Sequence, residues 1–378
     1  MSAVEIVPVK TRADRKRFLL LPWKLYAGDP NWIPPLRMNQ EELLGFRKHP
    51  FYENAEAQAF LAVSGKEVVG RIHAIIDHGH NSYYSEKRGF FGFFESTNSD
   101  EVAGALFDAA KAWLVERGMT VLRGPVNPSM NYECGLLIDG FDSPPTFMMT
   151  YNPPYYADLI ERQGLVKSQD LLAFWGHVEM LKELDAKLKF VSGEATRRFG
   201  VTVRRANTKN LKQEVRNFLD IYNKSLPGQW GFVPMSPAEV DQAAAGMKHM
   251  IVPEMTSVCE KDGQPVGVVF GLLDYNPRIK AADGRLFPFG FLKLLWNRRA
   301  IKKIRLISTN VLPQYQGWGL GLVLLDRLVT DVLEWGIQEV EFSWVLETNK
   351  LSRGSLERGG AKRIKTYRMY DQDLSAQG

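Results

Sequence analysis

The sequence has 378 residues, of which 45% are hydrophobic and 24% charged, an ordinary globular composition, and its length favours two domains over one. Its 48 basic residues outnumber the 43 acidic ones by too little to argue for a nucleic-acid partner, and no run approaches the roughly 18 apolar residues of a membrane span. Because Cys134 and Cys259 are the only cysteines and the first residues lack a secretion-signal pattern, we expect reduced thiols and a cytoplasmic protein.

The first half of the chain alternates strand and helix patterns. After a leucine-rich basic helix, residues 57–76 form two apolar runs joined by a Ser-Gly-Lys turn, which predicts a β-hairpin. Helical spacing behind a capping serine predicts a helix at 99–119 that ends at Gly118. The remaining predicted elements are a short helix at 153–165 and strands at 88–96, 120–126 and 171–178.

The second half repeats this order of elements, with its hairpin predicted at 256–274. Its other predicted elements are helices at 211–226, 321–336 and 350–360 and strands at 201–207, 304–312, 339–347 and 362–370. The repeat predicts an α/β (α+β) fold of two similar domains, each a mixed, mostly antiparallel sheet flanked by helices. We place the domains at residues 1–178 and 201–378, with a linker or helix at 179–200.

A histidine-rich stretch at residues 72–80 admits a metal site but lacks the spacing of known metal motifs. It contains His73, Asp77, His78 and His80, and His73 lies within an apolar run. We therefore predict that His73 is a core histidine and that the chain binds no metal.

The stretch PQYQGWGLGL at 313–322 lies between a predicted strand and an amphipathic helix, with Gly317, Gly319 and Gly321 at every second position. The first amides of a helix lack internal partners, and the helix dipole adds partial positive charge there. Glycines remove the Cβ atoms that would keep a large anion away from those amides. The stretch therefore predicts a pyrophosphate-binding loop, although it matches neither the G-x-x-x-x-G-K-[ST] nor the G-x-G-x-x-G pattern. The alternative is a glycine-rich turn that only caps a helix.

Gln316–Gly321 resembles the Q/R-x-x-G-x-G/A motif of the GNAT acyl-CoA N-acyltransferases, and the strand before it and the helix after it fit that family as well. A second family motif, N-x-x-A-x-x-x-Y-x-x-x-G, is similar to Asn349, Ser352, Leu356 and Gly360. The two motifs occur in the family's order and on the expected elements. The resemblance extends over roughly residues 200–372 of the second half.

The resemblance implies a co-substrate, acetyl-CoA or another acyl-CoA. In the family, backbone amides of this loop bind the coenzyme A pyrophosphate, and the preceding strand pairs with the pantetheine. The residues that the resemblance implies for this role are Val311, Gln316, Gly317, Trp318, Gly319, Leu320, Gly321 and Asn349.

Two positions depart from the family pattern. The family often has a tyrosine as general acid where this sequence has Leu356, which cannot donate a proton, and the strand before the loop carries no carboxylate. Strand alternation places Glu341 and Glu347 on one face of the following strand. We choose Glu347, close to Asn349, as the candidate general base. The alternative for both glutamates is a solvated strand face.

The first half resembles the same fold in degenerate form. Residues 152–164 are similar to the second motif, but only Thr-Asn-Ser-Asp follows the strand at 88–96, so no glycine brings amides to a pyrophosphate and we expect no cofactor there.

Residues 123–156 are rich in Asn, Tyr, Pro and Met; they either line an acceptor pocket or lid or form a long loop with internal hydrogen bonds. The candidate pocket residues are Asn127, Asn131, Glu133, Tyr155 and Tyr156.

An insertion at residues 286–305 carries four aromatic residues followed by a basic cluster. Such a segment can contact a membrane surface or a long acyl chain, and its basic residues can meet the 3′-phosphate of coenzyme A. We favour a helix that packs its aromatic residues on the fold and exposes its charges.

Together these features predict a GNAT-type N-acyltransferase that moves an acetyl or longer acyl group from acyl-CoA to a small-molecule amine by direct attack, largely through positioning. The alternative is a non-catalytic acyl-CoA-binding or lipid-interacting protein, which the missing proton donor at Leu356 favours. The sequence predicts neither the acceptor, nor the acyl length, nor the oligomeric state.

Overall fold

The structure is a computed structural model that describes residues 3–375, with residues 181–187 described by their backbone alone. Up to residue 177 its elements are β1 (Val4–Pro8), α1 (Arg12–Leu25), α2 (Arg37–Leu43), β2 (Ala55–Ser64), β3 (Glu67–Asp77), α3 (His78–Tyr84), β4 (Arg88–Ser96), α4 (Asp100–Glu116), β5 (Val121–Gly124), β6 (Val126–Asn127), β7 (Glu133–Cys134), β8 (Leu136–Asp139), α5 (Tyr156–Arg162) and β9 (Val166–His177). The later elements are α6 (Leu181–Phe199), β10 (Val201–Arg204), α7 (Leu211–Ser225), α8 (Pro237–Met247), β11 (Thr256–Lys261), β12 (Gln264–Leu273), α9 (Asn276–Ala281), α10 (Gly290–Leu295), β13 (Lys303–Val311), α11 (Leu320–Trp335), β14 (Glu339–Leu346), α12 (Lys350–Arg358) and β15 (Lys362–Asp373).

The chain forms two compact units, and each gathers residues from more than one stretch of sequence. The first unit comprises the residues up to Leu171, Pro277–Phe291 and the segment from Lys365 onward. The second unit comprises Leu172–Asn276 and Leu292–Ile364.

In the first unit the strands form a sheet in the order β1-β2-β3-β4-β5-β15, with β8 also paired to β15. Neighbouring strands are antiparallel except β4 and β5, which run parallel. The predicted hairpin at 57–76 is formed by β2 and β3. Helix α4 packs against β2 and β3, and its residues Leu106 and Phe107 are completely buried there. This burial of apolar surface is the main source of stability for such a layer.

Most of the last strand, β15, belongs to the first unit, which includes it from Lys365 onward, while residues 362–364 belong to the second unit. The predicted division placed the whole strand in the second domain. Backbone pairing places Tyr370 opposite Gly124. Arg123 donates hydrogen bonds to both carboxylate oxygens of Asp371, each at 2.7 Å, and Arg88 donates another at 3.1 Å. Burial acts to raise the pKa of Asp371, but these charged donors outweigh it and lower that pKa. The ion pairs therefore attach the C-terminal strand to β5.

In the second unit the sheet order is β14-β13-β12-β11-β10, and only β13 and β14 are parallel. Helix α11 packs on β11 and β12, and α7 packs on β12 and β13. Asp331 of α11 is buried and accepts two hydrogen bonds from Arg205, which follows β10, at 2.7 and 2.9 Å. The predicted fold class is confirmed, because in each unit the strands pair in a mixed, mostly antiparallel arrangement flanked by helices.

Histidine and cysteine side chains contribute to the cores of the units. His73 on β3 is 2% exposed beside Phe18 and Phe93, and burial lowers its pKa to about 3, helped by the charge of Arg71. His73 is thus a core histidine, as predicted. Both cysteines are buried free thiols, and burial raises the pKa of Cys259 to about 11.

The insertion at 286–305 differs from its favoured prediction. Its only α-helix among the described residues is the short α10, and Phe287, Phe289 and Trp296 are exposed instead of packed on the fold. The prediction of a helix with packed aromatic residues is therefore wrong. None of the helices described for residues 3–375 is long and apolar enough to cross a membrane.

Candidate functional site

Strands β13 and β14 of the second unit separate partway along their length. They pair in parallel up to Leu306, which lies opposite Phe342, and there the register ends. At the same level the pairing of β13 with β12 shifts by one residue, between Leu306 and Ser308. From there to Val311, β13 has β12 on one side and no described strand of the second unit on the other. The result is an open backbone edge, which offers amide and carbonyl groups to an extended ligand.

A buried polar network holds the two strands where they separate. Arg305 on β13 is 3% exposed and donates to the hydroxyl of Ser343 at 3.0 Å and to its carbonyl at 3.2 Å. That hydroxyl donates to Glu341 Oε1 at 2.9 Å, and Lys303 Nζ lies 3.7 Å from Oε2. Glu341 is fully buried, so the alternative of a solvated strand face is wrong for this residue. Because buried charges are costly without their partners, the network fixes the geometry of the opening.

The glycine-rich loop after β13 has a left-handed backbone at two positions. Gly317 has φ of +86° and Gly319 has φ of +76°, and a Cβ placed on either would meet no atom within 4 Å. The backbone conformation therefore requires glycine, and the space beside the loop is open. The side-chain amide of Gln316 donates to the carbonyl of Val311 at 3.1 Å, which ties the loop to the end of β13.

The N-terminus of α11 presents backbone donors without partners. Gly319 is the N-cap, which supplies no side-chain acceptor, and the first turn contains no acidic residue. Within the described part of the chain, no acceptor bonds the N–H groups of Gly317, Gly319, Leu320 or Gly321. Unpaired amides at the positive end of a helix dipole form an anion-binding site.

Two further loop residues act through packing. The ring of Trp318 stacks on Phe199 at 4.3 Å between centroids and meets Tyr315 edge-on at 5.0 Å. The side chain of Leu320 is 1% exposed and anchors the first turn of α11 in the core. These contacts hold the loop in one conformation, so its amides need little reorganisation to bind a ligand.

The second motif lies on the turn after β14 and on α12. Asn349 caps α12, because its Oδ1 accepts the N–H of Ser352 at 3.0 Å. Glu347 lies in the turn, half-buried, and its carbonyl accepts a hydrogen bond from Arg353 at 3.0 Å. Since β14 ends before Glu347, strand alternation does not fix the direction of this side chain. Leu356 is half-buried on α12 and offers no proton.

The first unit repeats the separation of parallel strands but fills the opening. Pairing of β4 with β5 ends at Phe90. Strand β6 then lies so close to β4 that a Cβ on Gly92 would be 1.6 Å from the carbonyl oxygen of Val126. The Asn127 side chain accepts the N–H of Phe93 at 2.7 Å. The edge of β4 that corresponds to the open edge of β13 is thus occupied by the chain itself.

The helix after β4 also differs from α11 at its N-terminus. The hydroxyl of Ser99 accepts the N–H of Val102 at 3.3 Å and caps α4. Asp100 and Glu101 occupy the first turn. A side-chain acceptor and two carboxylates complement the helix dipole, and they would repel a phosphate group. The first unit therefore lacks both parts of the site found in the second.

The five predicted pocket residues all belong to the first unit: Asn127, Asn131, Glu133, Tyr155 and Tyr156. Tyr156 is 1% exposed and donates to Glu95 at 2.8 Å, and Tyr155 donates to the carbonyl of Ser96 at 2.9 Å. The connection at 123–156 contains β6, β7 and β8, and Asn152 bonds both the N–H and the carbonyl of Leu137. It is therefore ordered by internal hydrogen bonds, and an acceptor pocket there stays a prediction.

A buried charge cluster in the first unit was missed by the sequence analysis. Glu95 on β4 accepts hydrogen bonds from Tyr26 and Tyr156, each at 2.8 Å, and from Arg71 on β3 at 3.4 Å. Burial raises the pKa of Glu95, and the charge of Arg71 opposes this. The available signal was a single charged residue in the otherwise uncharged interior of each strand, Arg71 between Val68 and Ile76 and Glu95 between Gly89 and Ser96. Within residues 3–375 no group of three or more His, Cys, Asp or Glu is arranged to hold a metal ion.

The substitution Gly92→Ala tests the filled opening of the first unit. The added methyl group would lie 1.6 Å from a backbone oxygen, so strands β4 and β6 must move apart. We expect a loss of about 3 kcal/mol or more in the free energy of unfolding, measured by denaturant titration. Gly193→Ala in α6, where a Cβ meets no atom within 4 Å, is the matched control and should be neutral or slightly stabilising. Equal stability of the two variants would contradict the filled opening.

Comparison with known proteins places these features in a family. The model of the acetyltransferase (GNAT) family matches residues 215–360. The chain is 37% identical over 383 residues to the bacterial ceramide synthase of Caulobacter vibrioides, with 98% of each chain covered. It is 36% identical over 367 residues to protein YghO of Escherichia coli, covering 96% of this chain and 93% of that protein.

A solved tandem GNAT protein from the clavulanic acid biosynthesis pathway has the same fold, with a TM-score of 0.58 at 13% identity, covering 98% of this chain and 99% of its own. The family match includes β13, the glycine-rich loop and β14, and the relatives align along nearly the whole chain. We conclude that the chain belongs to the GNAT acetyltransferase family and is an acyltransferase built from two GNAT-like units.

Proposed function

We propose that the protein transfers an acyl group from acyl-CoA to the nitrogen of an amine acceptor by direct attack, and that only the second unit binds the co-substrate. The observation that carries this proposal is the combination of an open edge on β13 with unpaired amides at the start of α11. The amides of Gly317, Gly319, Leu320 and Gly321 would bind the pyrophosphate, and the free backbone of β13 would bind the pantetheine. The co-substrate supplies an activated thioester.

The reaction forms a C–N bond and breaks the C–S bond of the thioester. An amine that is protonated in water must lose a proton before it attacks. We assign this step to Glu347, directly or through a water molecule, because it lies between β14 and the capping residue Asn349. Leu356 cannot protonate the leaving thiolate, so that proton comes from the attacking nitrogen or from water. The protein then contributes mainly orientation and backbone hydrogen bonds.

For the acceptor we propose the amine of a long-chain amino alcohol, with a long-chain acyl-CoA as donor. The support is the relative named bacterial ceramide synthase, which aligns over 98% of this chain. A ceramide is the amide of a fatty acid with such an amino alcohol, so its synthesis is the N-acylation proposed above.

The substitution Gly319→Asp tests the cofactor loop. It places a side chain and a negative charge where the pyrophosphate is expected to bind, so coenzyme A affinity should fall by at least about a hundredfold in calorimetry. Gly263→Asp is a matched control, because Gly263 also has a left-handed backbone, with φ of +73°, and no atom within 4 Å of an added Cβ. Unchanged affinity in a folded Gly319→Asp variant would contradict the assignment.

The substitution Glu347→Gln tests the general base. Turnover at neutral pH should fall about 10²–10⁴-fold, because an amide cannot accept the proton. Coenzyme A affinity should stay within about twofold, since the side chains have the same shape. Steady-state kinetics across pH would measure the loss, with the exposed Glu357→Gln on α12 as control. Full activity of Glu347→Gln would mean that another group takes the proton.

A further inference from the structure

Six large hydrophobic side chains are exposed within ten consecutive residues, which we call the apolar segment (residues 287–296). Phe287, Phe289 and Trp296 are 67%, 68% and 78% exposed. The other members are Phe291, Leu292 and Leu295. The remaining exposed large hydrophobic residues of the described chain are scattered between Met38 and Leu351. Such a concentration of apolar surface marks an interaction site.

The backbone of the apolar segment is tightly constrained. A Cβ on Gly290 would lie 1.8 Å from the carbonyl oxygen of Arg285, so the chain folds closely back on itself at the start of α10. The side chain of Leu294 is 8% exposed and anchors the helix, whereas the side chains of Leu292 and Leu295 are exposed. The aromatic residues are therefore presented by an ordered turn and a short helix.

The charge of the residues around the apolar segment indicates which kind of partner this surface can bind. Between Asp283 and Asp326 the sequence contains no acidic residue. The same stretch contains seven basic residues: Arg285, Lys293, Arg298, Arg299, Lys302, Lys303 and Arg305. Four of them, Arg285, Lys293, Arg299 and Lys302, are exposed and flank or interrupt the apolar segment. Aromatic and aliphatic side chains beside exposed basic ones match the boundary between headgroups and acyl chains of an anionic bilayer.

We propose that residues 285–302 form a peripheral docking surface for membranes that contain anionic lipids. Phe287, Phe289 and Trp296 enter the interfacial region, and the exposed Lys and Arg side chains contact the lipid phosphates. The charge pattern and the exposed aromatic residues carry this inference independently of the proposed acceptor. If that acceptor is a long-chain amine, docking brings the enzyme to the phase in which such a molecule dissolves.

Vesicle sedimentation of the full chain tests the proposal. We expect binding to vesicles of equimolar phosphatidylcholine and phosphatidylglycerol, weaker binding at high salt, and at least about tenfold weaker binding to phosphatidylcholine alone. The combined variant Phe287→Ser, Phe289→Ser and Trp296→Ser should bind the mixed vesicles at least about tenfold more weakly. The matched control is Val166→Ser with Phe190→Ser, two residues that are 64% and 70% exposed elsewhere, and it should bind as the native chain does.

A second combined variant tests the proposal even if the first variant fails to fold. Arg285→Gln with Lys293→Gln and Lys302→Gln retains every apolar side chain and should lose the preference for anionic vesicles. The proposal is overturned if the native chain binds neither kind of vesicle, or if both combined variants bind like the native chain. It is also overturned if sedimentation velocity shows that the apolar segment joins two copies of the chain and vesicles do not compete. Coenzyme A binding, measured without lipid, reports on the proposed function separately.

Discussion

The separation of β13 from β14 is the constraint on which the rest of the second unit's site depends. Parallel strands normally satisfy each other's backbone groups, so a sheet that opens needs something to hold it open. The buried guanidinium of Arg305 does this by bonding both the hydroxyl and the carbonyl of Ser343, the first residue of β14 beyond the paired stretch. Glu341 balances the charge from within the same network. The backbone of β13 beyond Leu306 is left available to a ligand.

The two units show how one architecture is either kept open or closed. Both have a short parallel pairing followed by a helix, but in the first unit β6 lies in the opening and Ser99 caps the helix. In the second unit no described strand fills the equivalent place, and Gly319 leaves the helix amides unpaired. The difference comes from a few residues. The second unit has glycines where the first unit has a capping serine and two acidic residues, and in the first unit the strand β6 lies beside β4.

The sequence allowed prediction of the features that depend on neighbouring residues. The spacing of Gly317, Gly319 and Gly321 is a local pattern, and the loop and the start of α11 were predicted within one residue. The network of Arg305, Ser343 and Glu341 was not predicted, because it depends on the register between two strands that are separated by a helix. For the same reason the pairing of β15 with β5 could not be seen in the order of elements.

The apolar segment shows a different limit of sequence reasoning. The sequence analysis favoured a helix that packs its aromatic residues on the fold, but composition alone does not reveal whether another element covers those residues. The structure leaves Trp296 78% exposed, so the prediction of a packed helix failed, and contact with a membrane or an acyl chain stays a prediction. Glu347 illustrates the usual uncertainty at element ends, because β14 stops one residue before it.

An experimental structure of the full chain with coenzyme A bound tests the central claim most directly. The account predicts one cofactor per chain, with the pyrophosphate at the amides of Gly317–Gly321 and the pantetheine extended along β13 beyond Leu306. It also predicts that residues 97–102, at the start of α4, carry no cofactor. Coenzyme A bound at α4, or bound away from β13 altogether, would contradict the account.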